Sequence, residues 1–227
     1  MKVIKLSSDY ADKISKLYKQ ELKEFYLLGT AYQSPKLAHY LKFIGEENLE
    51  EFFGIVEDKE LVAVIQYKKS NSYLHINHMV VSTSYQGFGL GKKLLSLAIQ
   101  QAELSNLNVS LDVDETNKKA FDWYLSSGFK IKSEKKFSVL ELNSQNPSPI
   151  VYKDNENRVG FGFSNAQVEG FEDLDFFFIE PNSLLLKNKV MVEDETLEKL
   201  NGAINGLLIV NTDSISKKAL STSMYDK

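Results

Sequence analysis

Apolar residues recur along this chain with two periods, near 3.6 and near 2, and the switches between them predict its elements. Val3 to Leu6 reads as a short first strand. From Asp9 to Leu28 the spacing is helical, with Ile14, Leu17, Tyr18, Leu22 and Phe25 on one side. Ser34-Pro35 marks a second helix start, running to about Glu51. Phe52 to Glu57 and Leu61 to Lys68 form a hairpin pattern across Asp58-Lys59. Tyr73 to Val81 is a strand, and Leu90, Leu94, Leu95, Ala98 and Ala102 give the next helix its apolar stripe. Leu107 to Val113 reads as a strand, Asn117 to Ser126 as a helix and Phe129 to Leu142 as a long strand. The order is β-α-α-β-β-β-α-β-α-β.

Asn143 to Pro149 is polar and carries two prolines, so 143–149 reads as a linker between residues 1–142 and a small α+β module at 150–227. In the module, Ile150 to Lys153 and Arg158 to Phe163 flank the turn-forming run Asp154-Asn155-Glu156-Asn157 as a hairpin. Gly160 and Gly162 then read as strand glycines. Leu174 to Ile179 and Leu207 to Val210 read as strands, Asp194 to Asn201 as a helix, and Ser221 to Lys227 as a frayed end. The Phe176-Phe177-Phe178-Ile179 run offers a surface for self-association as a homodimer.

Charge changes the picture in the second half. Residues 1–143 carry 19 Lys against 18 Asp and Glu, and the rest carries 8 Lys and Arg against 13 Asp and Glu. The acidic module argues against a nucleic-acid partner. With no cysteine, disulfides, thiolate zinc sites and a cysteine acyl-enzyme are excluded. No apolar run approaches the ~18 residues of a transmembrane helix, and no signal peptide is evident, so a cytoplasmic protein without a membrane partner is the expectation.

Candidate chemistry begins where the strand ending at Val81 feeds Gln86-Gly87-Phe88-Gly89-Leu90-Gly91-Lys92. Glycines let backbone turn tightly against a ligand, and the helix that follows offers unpaired N–H groups and a positive dipole end. That is an anion site suited to a pyrophosphate. A nucleotide P-loop fails, because Gln86 stands where its first glycine is needed and Lys93 where Ser or Thr is needed. A dinucleotide fingerprint fails because the third glycine falls one residue early. A third pattern fits throughout: strand valine, then Gln/Arg-x-x-Gly-x-Gly/Ala five residues on, as Val81, Gln86, Gly89 and Gly91. A second motif follows, Asn117-x-x-Ala120-x-x-x-Tyr124-x-x-x-Gly128-Phe129.

The two motifs, in this order and separation, resemble those of the GCN5-related N-acetyltransferase (GNAT) family over about residues 1–142. The resemblance implies an α/β (α+β) fold with a mixed, splayed central sheet flanked by helices. It implies acetyl-CoA as acyl donor and direct transfer of the acetyl group to a primary amine on a small molecule or peptide. Backbone N–H groups from Gly87 through Phe88, Gly89, Leu90 and Gly91 to Lys92 would cradle the pyrophosphate. Met79, Val80 and Val81 would pair with the pantetheine arm, and an N–H near Val80 would polarise the thioester carbonyl. Gln86, Ala120 and Asn117 belong to the same site, although Asn117 could equally be a helix cap.

Tyr124 occupies the position of the family's usual acid for the leaving thiolate, and a phenol near ~10 stays protonated at neutral pH. Some members carry Glu or His six residues before the strand valine, here His75. Strand alternation puts His75, Asn77, Met79 and Val81 on one face and His78 on the other. His78, His39 and Glu115 are weaker candidates for the base, and a water chain is a further one. The competing reading is an acyl-CoA-binding regulatory or interaction protein without catalysis.

Overall fold

A computed structural model describes residues 1–22, 30–187 and 194–221. The chain divides into two compact units, one from Met1–Lys23, Ala38–Glu134 and Lys217–Lys227, the other from Glu24–Leu37 and Lys135–Ser216.

The first unit holds β1 (Val3–Lys5), α1 (Ala11–Glu21), α2 (Leu37–Glu46), β2 (Glu51–Glu57), β3 (Glu60–Lys69), β4 (Tyr73–Val81), α3 (Leu90–Leu104), β5 (Asn108–Asp114) and α4 (Lys118–Ser126), after which β6 (Lys130–Asn143) begins. Its strands lie in the order β1-β2-β3-β4-β5. The first three pairings are antiparallel, and β4 with β5 is parallel. On the far edge of β5, the last residues of β11 (Asn205–Ser221) pair antiparallel, Lys217 opposite Asp114. Both residues of the β2–β3 turn, Asp58 and Lys59, have positive φ, as a two-residue hairpin turn requires.

α2 stops earlier than its pattern implied. Asn48 takes φ +52° and the Leu49 N–H reaches back to the Ile44 carbonyl, which closes the helix in a Schellman-type turn. The helix predicted over Asp9 to Leu28 stops at Glu21, with Leu22 extended as its C-cap, and the rest of that reading, Phe25 included, lies outside the described residues.

Leu90, Leu94, Leu95, Ala98 and Ala102 are all buried, so the apolar stripe of α3 is the face that packs on the sheet. Leu74, Ile76, Val109 and Leu111 complete that core. Gly54, in the middle of β2, has no room for a side chain. An added Cβ would lie 2.8 Å from methyl carbons of Leu6 and Leu61 and 2.9 Å from the Ala63 carbonyl oxygen. Gly54→Ala should therefore destabilise this unit by about 1–3 kcal/mol. Urea unfolding followed by the fluorescence of Trp123, the single tryptophan, measures it.

The second unit contains β7 (Ile150–Tyr152), α5 (Asn155–Phe161), β8 (Phe163–Val168), β9 (Phe176–Ile179), β10 (Ser183–Leu186), α6 (Asp194–Ala203) and the start of β11. β7 through β10 form an antiparallel succession, and β10 pairs with β11 in parallel. The sequence hairpin expected at 150–163 is corrected here. Asp154 caps a helix by accepting from the Asn157 N–H at 3.0 Å, and Gly162 ends it with φ +76°. The polar run is thus a helix start rather than a turn, and Gly160 lies within the helix. The Arg158 guanidinium stands 4.4 Å from the Tyr152 ring centre.

Phe176, Phe178 and Ile179 are buried in this unit's own core with Leu184, Leu200 and Leu208, so they are not a surface for self-association. Residues 143–149 lie in the same unit, tied to the end of α6 by Ser144 N–H to Ile204 O and Ser148 N–H to Ala203 O. Residues ahead of α2 also belong here. Lys36 pairs with Glu180 at 3.0 Å, and Gln33 Nε2 donates to Ser183 Oγ at 2.8 Å.

Candidate active site

The site is built where β4 parts from β5. Their pairing runs from Tyr73 opposite Asn108 to Ile76 opposite Leu111. β4 then continues to Val81 and β5 to Asp114 with no further register between them. This is the splay that the family resemblance implies.

A β-bulge sits at the parting. Gln66 pairs with His78 while its neighbour Tyr67 pairs with Ile76, so Asn77 is the extra residue of β4. The bulge corrects the face assignment made by strict alternation. Met79 and Val81 pack on the core with Leu74 and Ile76, and His75 lies on the other face. His78 also points away from that core, its ring 5.1 Å from that of Tyr18 on α1.

The bulge also decides which backbone groups face the gap. Ser82 N–H donates to Val62 O at 2.8 Å. In an antiparallel ladder bonded pairs alternate, so Val80 opposite Val64 is bonded to β3. The N–H groups of Met79 and Val81 therefore turn toward the gap.

The glycine loop follows at once. Gly87 has φ +85° and Gly89 φ +75°, a region costly for other residues. A Cβ at either meets no atom within 4 Å, so it is conformation and not crowding that calls for glycine there. Gly91 has an ordinary φ, and its added Cβ would make ordinary contact at 3.9 Å with Trp123 and Val81. Gly89 is the N-cap of α3 and makes no side-chain cap. The first N–H groups of the helix, at Leu90, Gly91 and Lys92, thus have no helical carbonyl to bond. Phe88 is largely exposed on the loop.

Gln86 bonds inside the protein. Its Nε2 donates to Val81 O at 3.2 Å, and its Oε1 accepts from Lys119 Nζ of α4 at 2.7 Å. It ties the strand end to α4 and holds the loop between them. A second tie was not legible in sequence. Glu21 at the end of α1 accepts from both the N–H and the hydroxyl of Thr83, at 3.0 and 2.6 Å. Desolvation pushes the Glu21 carboxyl up, but the Thr83 and Ser82 hydrogen bonds outweigh it and the net shift is downward.

α4 brings in the second motif. Asn117 is its N-cap, accepting from Ala120 N–H at 3.4 Å. Asn117→Ala should cost about 0.5–1 kcal/mol of stability. An acetyl-CoA Kd unchanged in that variant would leave capping as the residue's whole role. Ala120 packs on the core. The Tyr124 ring is 8% exposed, with Trp123 and Phe129 rings 5.0 and 5.5 Å away. Among the described residues, the enclosed side-chain polar atoms without partners are Tyr67 Oη and Asp114 Oδ2. The Tyr124 hydroxyl makes no hydrogen bond among the described residues. Burial pushes its pKa above the ordinary phenol value, so it holds its proton through the neutral range.

His75 lies within the paired part of β4, its Nδ1 3.0 Å from Ser110 Oγ of β5. Glu115 follows β5, and His39 is exposed on α2.

Residues 14–129 match the model of the acetyltransferase (GNAT) family, more than half of the chain, and the chain belongs to that family. Acyl transfer from acetyl-CoA is the chemistry this membership brings. Among curated proteins, none matches the chain. Among solved structures, the chain is similar to a proposed acetyltransferase from Thermoplasma acidophilum, with 12% identity and a TM-score of 0.61 over 97% of this chain and 99% of that one. That likeness spans both units. A GNAT-family acetyltransferase from Staphylococcus aureus Mu50 shares 17% identity and a TM-score of 0.50 over 58% of this chain and 85% of its own. No helix among the described residues is long and apolar enough to cross a membrane.

Proposed function

We propose that the first unit transfers an acetyl group from acetyl-CoA to a primary amine on a small molecule or peptide, without a covalent acyl-enzyme. The observation that carries this reading is the gap between β4 and β5, which turns the Met79 and Val81 backbone toward a ligand just ahead of a glycine loop capping a helix. A pantetheine arm can add to that edge as an extra strand. The loop and the start of α3 then meet the pyrophosphate.

In the reaction the amine nitrogen attacks the thioester carbon, and the carbonyl oxygen gains charge that an outward N–H of β4 stabilises. The carbon–sulfur bond breaks, and the departing thiolate takes the proton of the Tyr124 hydroxyl. The ammonium proton leaves to His75 or to a water chain. His75 is held by Ser110, which fixes its ring.

The test is acetyl-CoA titration by calorimetry, followed by thiol release with a panel of primary amines. Micromolar-range binding with amine-dependent release supports the proposal. Binding without release for any amine favours a regulatory acyl-CoA sensor, and no binding removes both.

A further inference from the structure

A polar network lies on the face of the sheet opposite α3 and reaches one carboxylate, that of Glu50. Tyr18 Oη on α1 donates to Gln66 Oε1 on β3 at 2.8 Å. Gln66 Nε2 donates in turn to Glu50 Oε2, just ahead of β2. Asn77, the bulge residue of β4, donates its Nδ2 to the same oxygen at 2.6 Å. Tyr18 and Gln66 are fully buried, and Glu50 and Asn77, at the outer end of the network, are half-buried. Both donors to Glu50 are neutral amides. Among the described residues, no cation pairs with Glu50, and its Oε1 has no partner. The nearby lysines Lys5 and Lys69 pair instead with Glu51.

A partly buried carboxylate without a cation is costly unless something neutralises it. Burial raises the pKa of Tyr18 and pushes that of Tyr40 up to about 12, and the Glu50 charge adds to both shifts. The tyrosines therefore stay neutral and do nothing to cancel the charge. Glu50 is tied to the active site through Asn77, which lies at the point where β4 leaves β5. Met79, whose N–H faces the gap, is two residues along the strand, about 7 Å.

We propose that Glu50 Oε1 is the counter-ion for the ammonium group of the acyl acceptor, with the Gln66 and Asn77 amides fixing the carboxylate and the Tyr18 hydroxyl fixing Gln66. The acceptor is then a primary alkylammonium, held beside the acyl-transfer gap, and neutral alcohols are rejected because they leave the charge uncancelled. This rests on the amine-transfer reading above and goes beyond it in naming the group that selects the acceptor.

The experiment uses the full chain, labelled with 15N, titrated with n-butylammonium chloride and separately with 1-butanol. Saturable shifts of the Asn77 and Gln66 side-chain amide signals with the ammonium, absent with the alcohol and lost in Glu50→Gln, are expected. Glu50→Asp, which keeps the charge, should restore part of the response. Equal responses to ammonium and alcohol, or no response, overturn the proposal in the unmutated protein alone, whatever the variants do. In turnover with an amine acceptor, Glu50→Gln should raise acceptor KM at least tenfold with acetyl-CoA Kd unchanged, and an unchanged KM also overturns it. Ammonium binding without acetyl transfer to any amine would sink the transfer reading and leave this site standing.

Discussion

Gly89→Glu should weaken acetyl-CoA binding by about 100-fold or more, on the order of 3 kcal/mol. The position has φ +75° and opens α3, and a side chain there meets no protein atom within 4 Å. Sterically, glutamate is admitted. A carboxylate at a helix N-terminus also suits the dipole, which offsets part of the backbone strain. Its charge, however, would occupy the position proposed for the pyrophosphate, where one charge at ~4 Å repels another by about 4 kcal/mol at an effective dielectric near 20. Gly89→Ala adds the backbone strain without the charge and should cost no more than about tenfold. Calorimetry of the three proteins, with circular dichroism to confirm that each is folded, measures both. If alanine and glutamate weakened binding equally, backbone conformation and not anion recognition would be the cause. If neither weakened it, the loop would not be the acyl-CoA site.

Tyr124→Phe should lower kcat by about 10²- to 10³-fold while acetyl-CoA Kd stays within about twofold. Phenylalanine keeps the packing on Trp123 and Phe129, so the variant isolates the hydroxyl. The sign of the pH dependence follows from burial. Burial disfavours the phenolate and raises the pKa above its ordinary value near ~10. The acid form therefore persists as pH rises through the range in which a free tyrosine would ionise. Any loss of kcat between pH 8 and ~10 belongs to another group. An unchanged kcat in Tyr124→Phe would return the residue to the core as a packing tyrosine.

Much of this site could be read from the letters alone because it depends on backbone geometry that glycine spacing encodes. Gly87 and Gly89 take positive φ, and Leu90 to Ala102 form the buried stripe that follows. The strand faces could not be read so well. One inserted residue at the bulge reverses inside and outside beyond it, and nothing in the letters His75-Ile76-Asn77-His78 announces where β3 skips a partner. The register set by the bulge also decides that the N–H groups of Met79 and Val81 turn outward, which the letters do not show. Asp154 to Phe163 failed for a different reason. Asp and Asn serve turns and helix caps alike, and only the hydrogen bond from Asn157 N–H to Asp154 separates the two. Glu50, Gln66 and Asn77 have no sequence signature, because residues far apart in the chain meet only once β2, β3 and β4 are laid side by side.

The interleaving of the chain has a consequence for how the protein is made. Residues 217–221 pair along the edge of β5, yet during synthesis they emerge only after all of 135–216. Residues 30–37 emerge early and must wait for Phe161, Glu180 and Ser183. Neither unit can be completed in the order in which the ribosome delivers it. A nascent chain halted before residue 217 would carry every motif of the proposed acyl-CoA site but would leave β5 as a bare sheet edge, the kind of exposed template that invites pairing with another chain.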